Sequence, residues 1–265
     1  GVAAATGEVL VFADTAQRFA PDTIRRLVAA VGAPGLGAVS GALVLPGGEA
    51  GTSPIQRYWR LEKRLRAAEA RVHSTIGVTG AVYAMRRALW RPLPAGLILD
   101  DLWIPMGLVL AGYRVGFEPS ALAWDDRETT PGQEYRRKVR TLTGNFQLVA
   151  WMPGVLVPWR NPAWLQFWCH KVLRLLTPLA LALMVVGVVG AALARAGPAL
   201  GWVLGGLAGA ILLLAMAPGR HGRRVREGLR WVLTMMAAMV VATGNAVRGN
   251  WSVWHPSGSR PPTTP

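Results

Sequence analysis

Leu97-Ile98-Leu99-Asp100-Asp101-Leu102-Trp103-Ile104-Pro105 decides how this chain is read. Three apolar residues run into two adjacent carboxylates, and a second apolar run follows. Two readings of the acidic pair stand side by side. Asp is favoured at the positive end of a helix dipole, so the pair suits the first turn of a helix predicted from Asp100 to Gly112. Neighbouring carboxylates also raise one another's pKa, which suits a general base. About 35 residues further on, Arg136-Arg137-Lys138-Val139-Arg140 gathers four cations in five positions. Arginines there can hold phosphate oxygens bidentately; the plainer reading is a helix face turned to water or lipid headgroups.

Upstream of this pair the chain alternates between strand and helix patterns. Residues 8–13 form an apolar run that predicts a buried strand ending at Asp14, a carboxylate placed either to bind a divalent cation or to cap a turn. Pro21-Asp22-Thr23 starts a helix through Val31, with Ile24, Leu27, Val28 and Val31 expected on its inner face. Residues 37–44 read as a strand and 46–54 as a Gly/Pro-rich loop. From Pro54 to His73 the pattern is a basic amphipathic helix, with Ile55, Tyr58, Leu61 and Leu65 on one side and Arg57, Arg60, Lys63, Arg64 and Arg66 around the rest. Residues 78–84 read as a strand carrying Thr79-Gly80, where glycine permits close approach of a ligand or marks a bulge. Residues 114–117 read as another strand. Strands alternating with helices predict an α/β sheet domain.

Beyond Trp151 the composition changes. The chain has 265 residues, of which 52% are hydrophobic and only 16% charged, and the apolar excess lies mostly after residue 174. Residues 151–174 mix Trp151, Trp159, Trp164 and Trp168 with Arg160, Lys171 and Arg174, as expected of a segment lying in a membrane interface. Residues 175–194 carry no charge and span ~30 Å as a helix, enough to cross the hydrocarbon core. Residues 200–217 and 231–247 are further uncharged runs, so 175–250 is predicted as a region of about three transmembrane helices, with 251–265 as a flexible tail. Gly201, Gly205 and Gly209 recur at four-residue spacing, either as a packing face or as plain composition. The segment Gly219–Arg230, predicted as a loop, carries five arginines against Glu227. The positive-inside rule places it in the cytoplasm, and residues 1–174 with it.

The formal net charge of +15 calls for a polyanionic partner. A bilayer and a bound diphosphate explain it more simply than nucleic acid, so no nucleic-acid partner is expected. Cys169 is the only cysteine, which excludes an intrachain disulfide. A small transporter or channel is disfavoured, because the apolar runs contain no ionisable residue.

Taken in order, several stretches resemble the membrane-bound family 2 glycosyltransferases of GT-A-type fold, the group that includes cellulose synthase-like and hyaluronan synthase-like enzymes. They are Val11-Phe12-Ala13-Asp14-Thr15, Gly37-Ala38-Val39-Ser40-Gly41 and Gly77-Val78-Thr79-Gly80-Ala81-Val82-Tyr83. Asp100-Asp101 with Gly112-Tyr113-Arg114-Val115 follows, and then Arg136-Arg137-Lys138-Val139-Arg140 with Gly144-Asn145-Phe146-Gln147. The resemblance implies a partial GT-A-type, Rossmann-like mixed sheet over residues 1–150, followed by the interfacial and membrane segments. It implies an inverting enzyme of the inner or plasma membrane that moves a sugar from a nucleotide-sugar donor to a lipid-linked or polysaccharide acceptor. Asp14 then matches the first acid of the DxD motif, which holds a Mg or Mn ion and the donor diphosphate. Asp101, preceded by Asp100, matches the general base; Thr79 and Gly80 match the donor-sugar and acceptor pocket. Arg137 and Arg140 fall where processive members carry the Gln and Arg of QxxRW, on the donor diphosphate.

Three positions depart from that pattern. Ala16 stands where the second acid of DxD would be, leaving Asp14 as the one metal ligand. Thr141 replaces the Trp of QxxRW, which favours a non-processive enzyme. About a dozen residues precede Asp14, so the nucleotide-binding half is expected upstream or on a separate chain, with this polypeptide alone inactive. A catalytically degenerate membrane scaffold or partner subunit is the alternative.

Overall fold

In the computed structural model of the chain, residues 1–46, 54–127, 130–195, 204–206, 209–210, 213, 216 and 218–253 are described. Strands β1 (Val9–Ala13), β2 (Arg18–Phe19), β3 (Leu36–Val44), β4 (Val82–Arg86) and β5 (Arg114–Trp124) form one mixed sheet in the order β1-β4-β3-β5-β2. Only β3 and β5 run parallel; β4 is antiparallel to both its neighbours, and β2 is antiparallel to β5. Alternate residues along a strand feed opposite layers, as the period of two requires. Ala38, Tyr83 and Met85 join the core with Leu102, Met106 and Val109, whereas Val39, Val82 and Ala84 join Leu27 and Val31 on the other face. Strand β3 is therefore buried on both sides.

Helix α1 (Thr23–Val31) covers one face of the sheet, although its inner stripe is not the expected one. Leu27 and Val31 are buried beside Thr23, whose hydroxyl donates to the Leu122 carbonyl, while Ile24 is 53% exposed. Helix α2 (Pro54–Val72) departs further. Leu61, expected inside, is 66% exposed, and Glu62 and Glu69 point inward at 5% and 4% exposure. The reason is electrostatic, because both carboxylates find a histidine there.

Two strand bounds also differ from expectation. β4 begins at Val82, so Thr79 and Gly80 lie in the turn before it: Val78 N–H donates to the Asp101 carbonyl and Thr79 N–H to Ser40 Oγ. β5 continues to Trp124, well past Phe117, through an irregularity opposite Ser40–Ala42 that absorbs Pro119. Helix α3 (Asp100–Leu110) follows its predicted course, and α4 (Pro131–Trp151) starts with a capping box in which Thr130 and Gln133 satisfy each other's backbone N–H groups.

After α4 come a short helix α5 (Trp164–Phe167), a π-turn over Trp168–Val172, and α6 (Leu173–Arg195). The predicted span 175–194 falls within α6, whose Leu179, Leu183, Met184 and Val186 are exposed. The predicted span 200–217 lies largely outside the described residues, and among the described residues nothing lies within 4 Å of a Cβ placed on Gly205 or Gly209. Gly219–Arg230 is not a loop. Apart from Gly219 at positive φ, it is the first part of α7 (Arg220–Val247), as suits its good helix formers Arg, Leu and Glu. Among the described residues one helix, Gly222–Val247, is long and apolar enough to cross a membrane. A second candidate needs the bent pair Trp164–Thr177 and Leu179–Ala191, which meet at 53°. The far end of α7 packs Ala238, Met239 and Ala242 on Leu142 of α4, and Trp251 sits 6.4 Å from Trp151, so residues 251–253 are not a free tail. The rest of the predicted tail lies outside the described residues.

Candidate active site

One end of the sheet gathers the candidate residues. Strands β1, β3 and β5 point the same way, so their C-terminal ends share an edge, and antiparallel β4 begins there. In open α/β sheets ligands bind at that edge. A cleft of about 520 Å³ opens at it, lined by Asp14, Thr79, Gly80, Asp100, Asp101, Arg137 and Arg140. These seven candidate residues therefore meet in one place, while Arg136 and Lys138 of the same cationic cluster do not line it.

Asp14 follows β1 and fixes its backbone by an N–H bond to the Ala81 carbonyl, 3.2 Å. Its carboxylate faces the Arg127 guanidinium at 3.6 Å. Arg127 in turn binds Asp125 bidentately, both contacts 2.8 Å, which holds the Asp125 carboxyl below the usual range and raises Arg127. Gln17 donates at 3.1 Å to Asp125 Oδ2, the oxygen that also accepts from Arg127 Nη2. The ends of β1 and β5 are thus tied across the cleft floor.

Asp100 and Asp101 open α3, but neither is its N-cap; Leu99 takes that place without a side-chain bond. Asp100 Oδ1 accepts from the Asp101 N–H at 2.9 Å. Asp101 accepts no side-chain hydrogen bond among the described residues. Burial first, and then the charge of Asp100, push its carboxyl above the ordinary carboxylate value. A Cβ on Gly80 would stand 3.8 Å from Asp101 Oδ2, so glycine keeps the approach to this oxygen clear. Behind the pair, Tyr83 stacks on Phe12 at 4.8 Å with its hydroxyl buried and unpartnered. Burial and the two aspartates raise its pKa.

Helix α4 does two jobs. Arg137 and Arg140 project from it into the cleft, Arg137 over the Trp59 ring at 6.0 Å and Arg140 with a buried Nε that has no partner. Two turns beyond Arg140, fully buried Gln147 accepts from Ile98 N–H and donates to the Gly96 carbonyl, both at 2.9 Å. Gly144 lets the two segments touch, because a Cβ there would lie 2.4 Å from Leu99 Cγ. The helix that carries the arginines also sets the loop that delivers the acids.

Sequence reasoning missed Trp59, Arg66, Gln17, Asp125 and Arg127, which line the same cleft. Trp59 and Arg66 sit seven residues apart on α2, a spacing that puts both on one face; the density of surrounding arginines concealed it. Asp125 and Arg127 depend on β5 being long, which Pro119 hid.

The donor set is thin for a metal. Among the described residues no three His, Cys, Asp or Glu side chains converge. Ala16 offers no ligand, and Asp14 shares the Arg127 guanidinium with Asp125. Hard divalent ions do bind through one or two carboxylates together with substrate phosphates. Asp14 fits that mode as a lone protein ligand.

A mixed sheet with helices on both faces and its cleft at the strand ends is a GT-A-like fold of Rossmann type. The chain belongs to glycosyl transferase family group 2, whose family profile matches residues 10–244. No curated protein sequence matches it significantly. Among solved structures it is similar to the mannosyltransferase PcManGT from Pyrobaculum calidifontis, in complex with GDP-Man and Mn2+. The TM-score is 0.64 at 22% identity, over 93% of this chain and 64% of that one. The chain thus spans a little under two thirds of that relative's length.

Proposed function

We propose that the chain carries the catalytic acid–base side of an inverting glycosyltransferase, moving a sugar from a nucleotide-sugar donor to a lipid-linked or polysaccharide acceptor at the cytoplasmic face of the membrane. The observation that carries this reading is the convergence of Asp14, Thr79, Gly80, Asp100, Asp101, Arg137 and Arg140 on one cleft. Asp101 takes the proton of the acceptor hydroxyl as that oxygen attacks the anomeric carbon, and the nucleoside diphosphate departs from the opposite face. A carboxyl whose pKa is raised is a better base than an exposed one, and Asp100 keeps it so. Arg137 and Arg140 lie across the cleft, where guanidinium groups stabilise charge growing on the departing diphosphate. Asp14, with the donor's own phosphate oxygens, is the residue that would hold a Mg or Mn ion; when bound, such an ion neutralises the same charge. The bound GDP-Man and Mn2+ of the relative support this assignment.

Membrane attachment rests on α6 and α7, whose exposed leucines and valines suit lipid better than water. The arginines at the start of α7 favour the cytoplasmic side for the catalytic layer. Strand β1 has only β4 beside it among the described residues. Its outer edge is suited to further strands of a nucleotide-binding half, on this or another chain.

The test is donor hydrolysis and sugar transfer by wild type beside Asp101→Asn, in membranes that also supply any separate half. Loss of turnover with donor binding retained is the expected result. Equal turnover removes Asp101 as base and favours the scaffold reading.

A further inference from the structure

Helix α2 turns both of its carboxylates inward, where Glu62 and Glu69 meet His170. Its exposed residues are Arg57, Leu61, Arg64, Ala68, Arg71 and Val72. The first five stand three or four apart and Val72 adjoins Arg71, so they form one stripe that runs ~22 Å along the helix. It carries three guanidinium groups and no acid. Leu61 and Val72 lie among them at 66% and 77% exposure. Among the described residues Arg57 and Arg64 meet no carboxylate, and Arg71 bonds its own helix, Nε to the Ala67 carbonyl at 3.2 Å. A helix face turned to water mixes both signs of charge and keeps large apolar groups away. This stripe does neither.

The helix is also fastened at the level where the two long apolar helices begin. Tyr58 lies 6.3 Å from Trp231, where α7 passes from its arginines into its apolar run. In the first turn of α6, the Arg174 guanidinium stands 5.7 Å from the Tyr58 ring and donates to its hydroxyl at 3.0 Å. Tyrosine, tryptophan and arginine are the residue types that mark a membrane–water boundary. Arg223, Arg224 and Arg230 of α7 are exposed as well, against Glu227 as the one acid of that stretch. Charge, apolar content and level therefore point to the same neighbour.

We infer that the outer stripe of α2 docks on the anionic headgroup layer of the bilayer. Arg57, Arg64 and Arg71 then meet lipid phosphates, while Leu61 and Val72 dip below them, as in helices that lie in the interface plane. The arginine stems cover apolar surface and their heads stay with the phosphates. A soluble acidic partner would answer the arginines but not the level at which α2 is held. On its inner side the same helix carries Trp59 and Arg66 to the main cleft. A docked α2 therefore keeps that cleft beside the layer in which a lipid-linked acceptor lies. The inference rests on the membrane reading of α6 and α7, and the experiment reads the two separately.

The experiment places one fluorescent label at a time on the full chain in nanodiscs, after Cys169→Ser removes the exposed native thiol. Ala68→Cys reports the stripe, Leu183→Cys reports α6, and Arg18→Cys, at a side chain 74% exposed, reports the sheet domain. Quenching by a headgroup-attached spin label is compared with quenching by neutral acrylamide from the water. In discs containing phosphatidylglycerol the Ala68 label should be quenched from the headgroups and shielded from acrylamide, with the Arg18 label unshielded. Phosphatidylcholine alone or high salt should weaken the docking. Each of Arg57→Gln, Arg64→Gln and Arg71→Gln should lower its equilibrium constant about fivefold. The triple variant should melt with wild type, which shows that only the surface changed. An Ala68 label as open to acrylamide as the Arg18 label in anionic discs would overturn the inference. So would shielding that survives the triple variant, or shielding equally strong in lipid-free detergent, which would assign the face to a protein partner. A Leu183 label left in water would remove the membrane reading of α6, while the Ala68 label still reports the stripe.

Discussion

Asp101 of α3 and Glu62 of α2 line one cavity of about 140 Å³, and burial pushes both towards the neutral form. Their outcomes diverge. Asp101 has Asp100 beside it and no side-chain donor, so its carboxyl rises above the ordinary value. Glu62 is only 5% exposed, but its hydrogen bond with His170 and the charges of Lys171 and Arg66 hold it far below that value. Under the proposed function, the difference separates a reactive acid from a structural one. An acid left without donors is kept ready to take a proton, and one enclosed by them becomes a fixed anion that holds helices together. Glu62, Glu69 and His170 tie α2 to the π-turn ahead of α6, and thereby fix Trp59 and Arg66 at the doorway of the cleft.

The sharpest way to break this contrast is to remove each charge in turn. Asp101→Asn should cost about 10²- to 10⁴-fold in turnover, the usual contribution of a positioned base, while the melting midpoint rises. The sign follows from linkage. Because the folded pKa lies above 3.8, the carboxylate's charge costs stability at neutral pH, and that cost disappears as acid protonates it. Wild-type turnover should fall on the same acid limb, at a pH above that of an ordinary aspartate. A midpoint that drops in Asp101→Asn would show that the acid is structural after all.

Glu62→Gln should behave in the opposite way, losing about 3–5 kcal/mol because Arg66 and Arg174 keep their charges without the counter-ion. Denaturant melts measure it. Its folded pKa lies below the unfolded 4.5, so its stabilisation is fully present above that pH and fades as acid approaches the folded value. The deficit of the variant relative to wild type should therefore shrink at low pH, whereas the gain of Asp101→Asn should also shrink from the other side. Two difference curves of opposite sign that both close in acid are the signature of the contrast.

How much of this was legible beforehand depends on what kind of signal each residue gives. Asp14, Asp100, Asp101, Arg137 and Arg140 were visible because their types and order are unusual for apolar surroundings, and the structure brings them together. The orientation of α2 was not. Hydrophobic periodicity put Leu61 inside, yet Glu62 and Glu69 are the buried positions, and their partner His170 lies 101 residues from Glu69. No local pattern reveals that a carboxylate has a distant imidazole waiting for it. The length of β5 and the helix at Gly219–Arg230 failed for a different reason: Pro119 and a run of arginines look like breaks when neighbours are ignored. Tertiary contacts decide such segments more than propensity does.

Gly144→Ala probes the link between the two halves of the site. Its Cβ would meet Leu99 at 2.4 Å and Ile98 at 3.1 Å, so the loop must move or the helix must shift, at about 1–3 kcal/mol. The contrast predicts more than lost stability. Leu99 immediately precedes Asp100 and Asp101, so turnover should fall further than the melt alone explains, with nucleotide binding, proposed for Arg137 and Arg140, less affected. A variant that melts lower but turns over normally at low temperature would uncouple α4 from the placement of Asp101.

The smallest effect belongs to a pair that looks strong on geometry alone. Arg18 donates to Asp126 from both Nε and Nη2, yet the side chains are 74% and 60% exposed. Water screens such a pair, and two long side chains lose freedom to form it, so Arg18→Ala should cost less than about 1 kcal/mol in a chemical melt. If Arg18→Ala and Glu62→Gln destabilised equally, partner geometry rather than enclosure would set the worth of these carboxylates, and the explanation of Glu62 would fail. A small Arg18 effect beside a large Glu62 effect places the weight on desolvation: the same acid–base contact that matters little on the rim becomes a structural commitment once water is excluded.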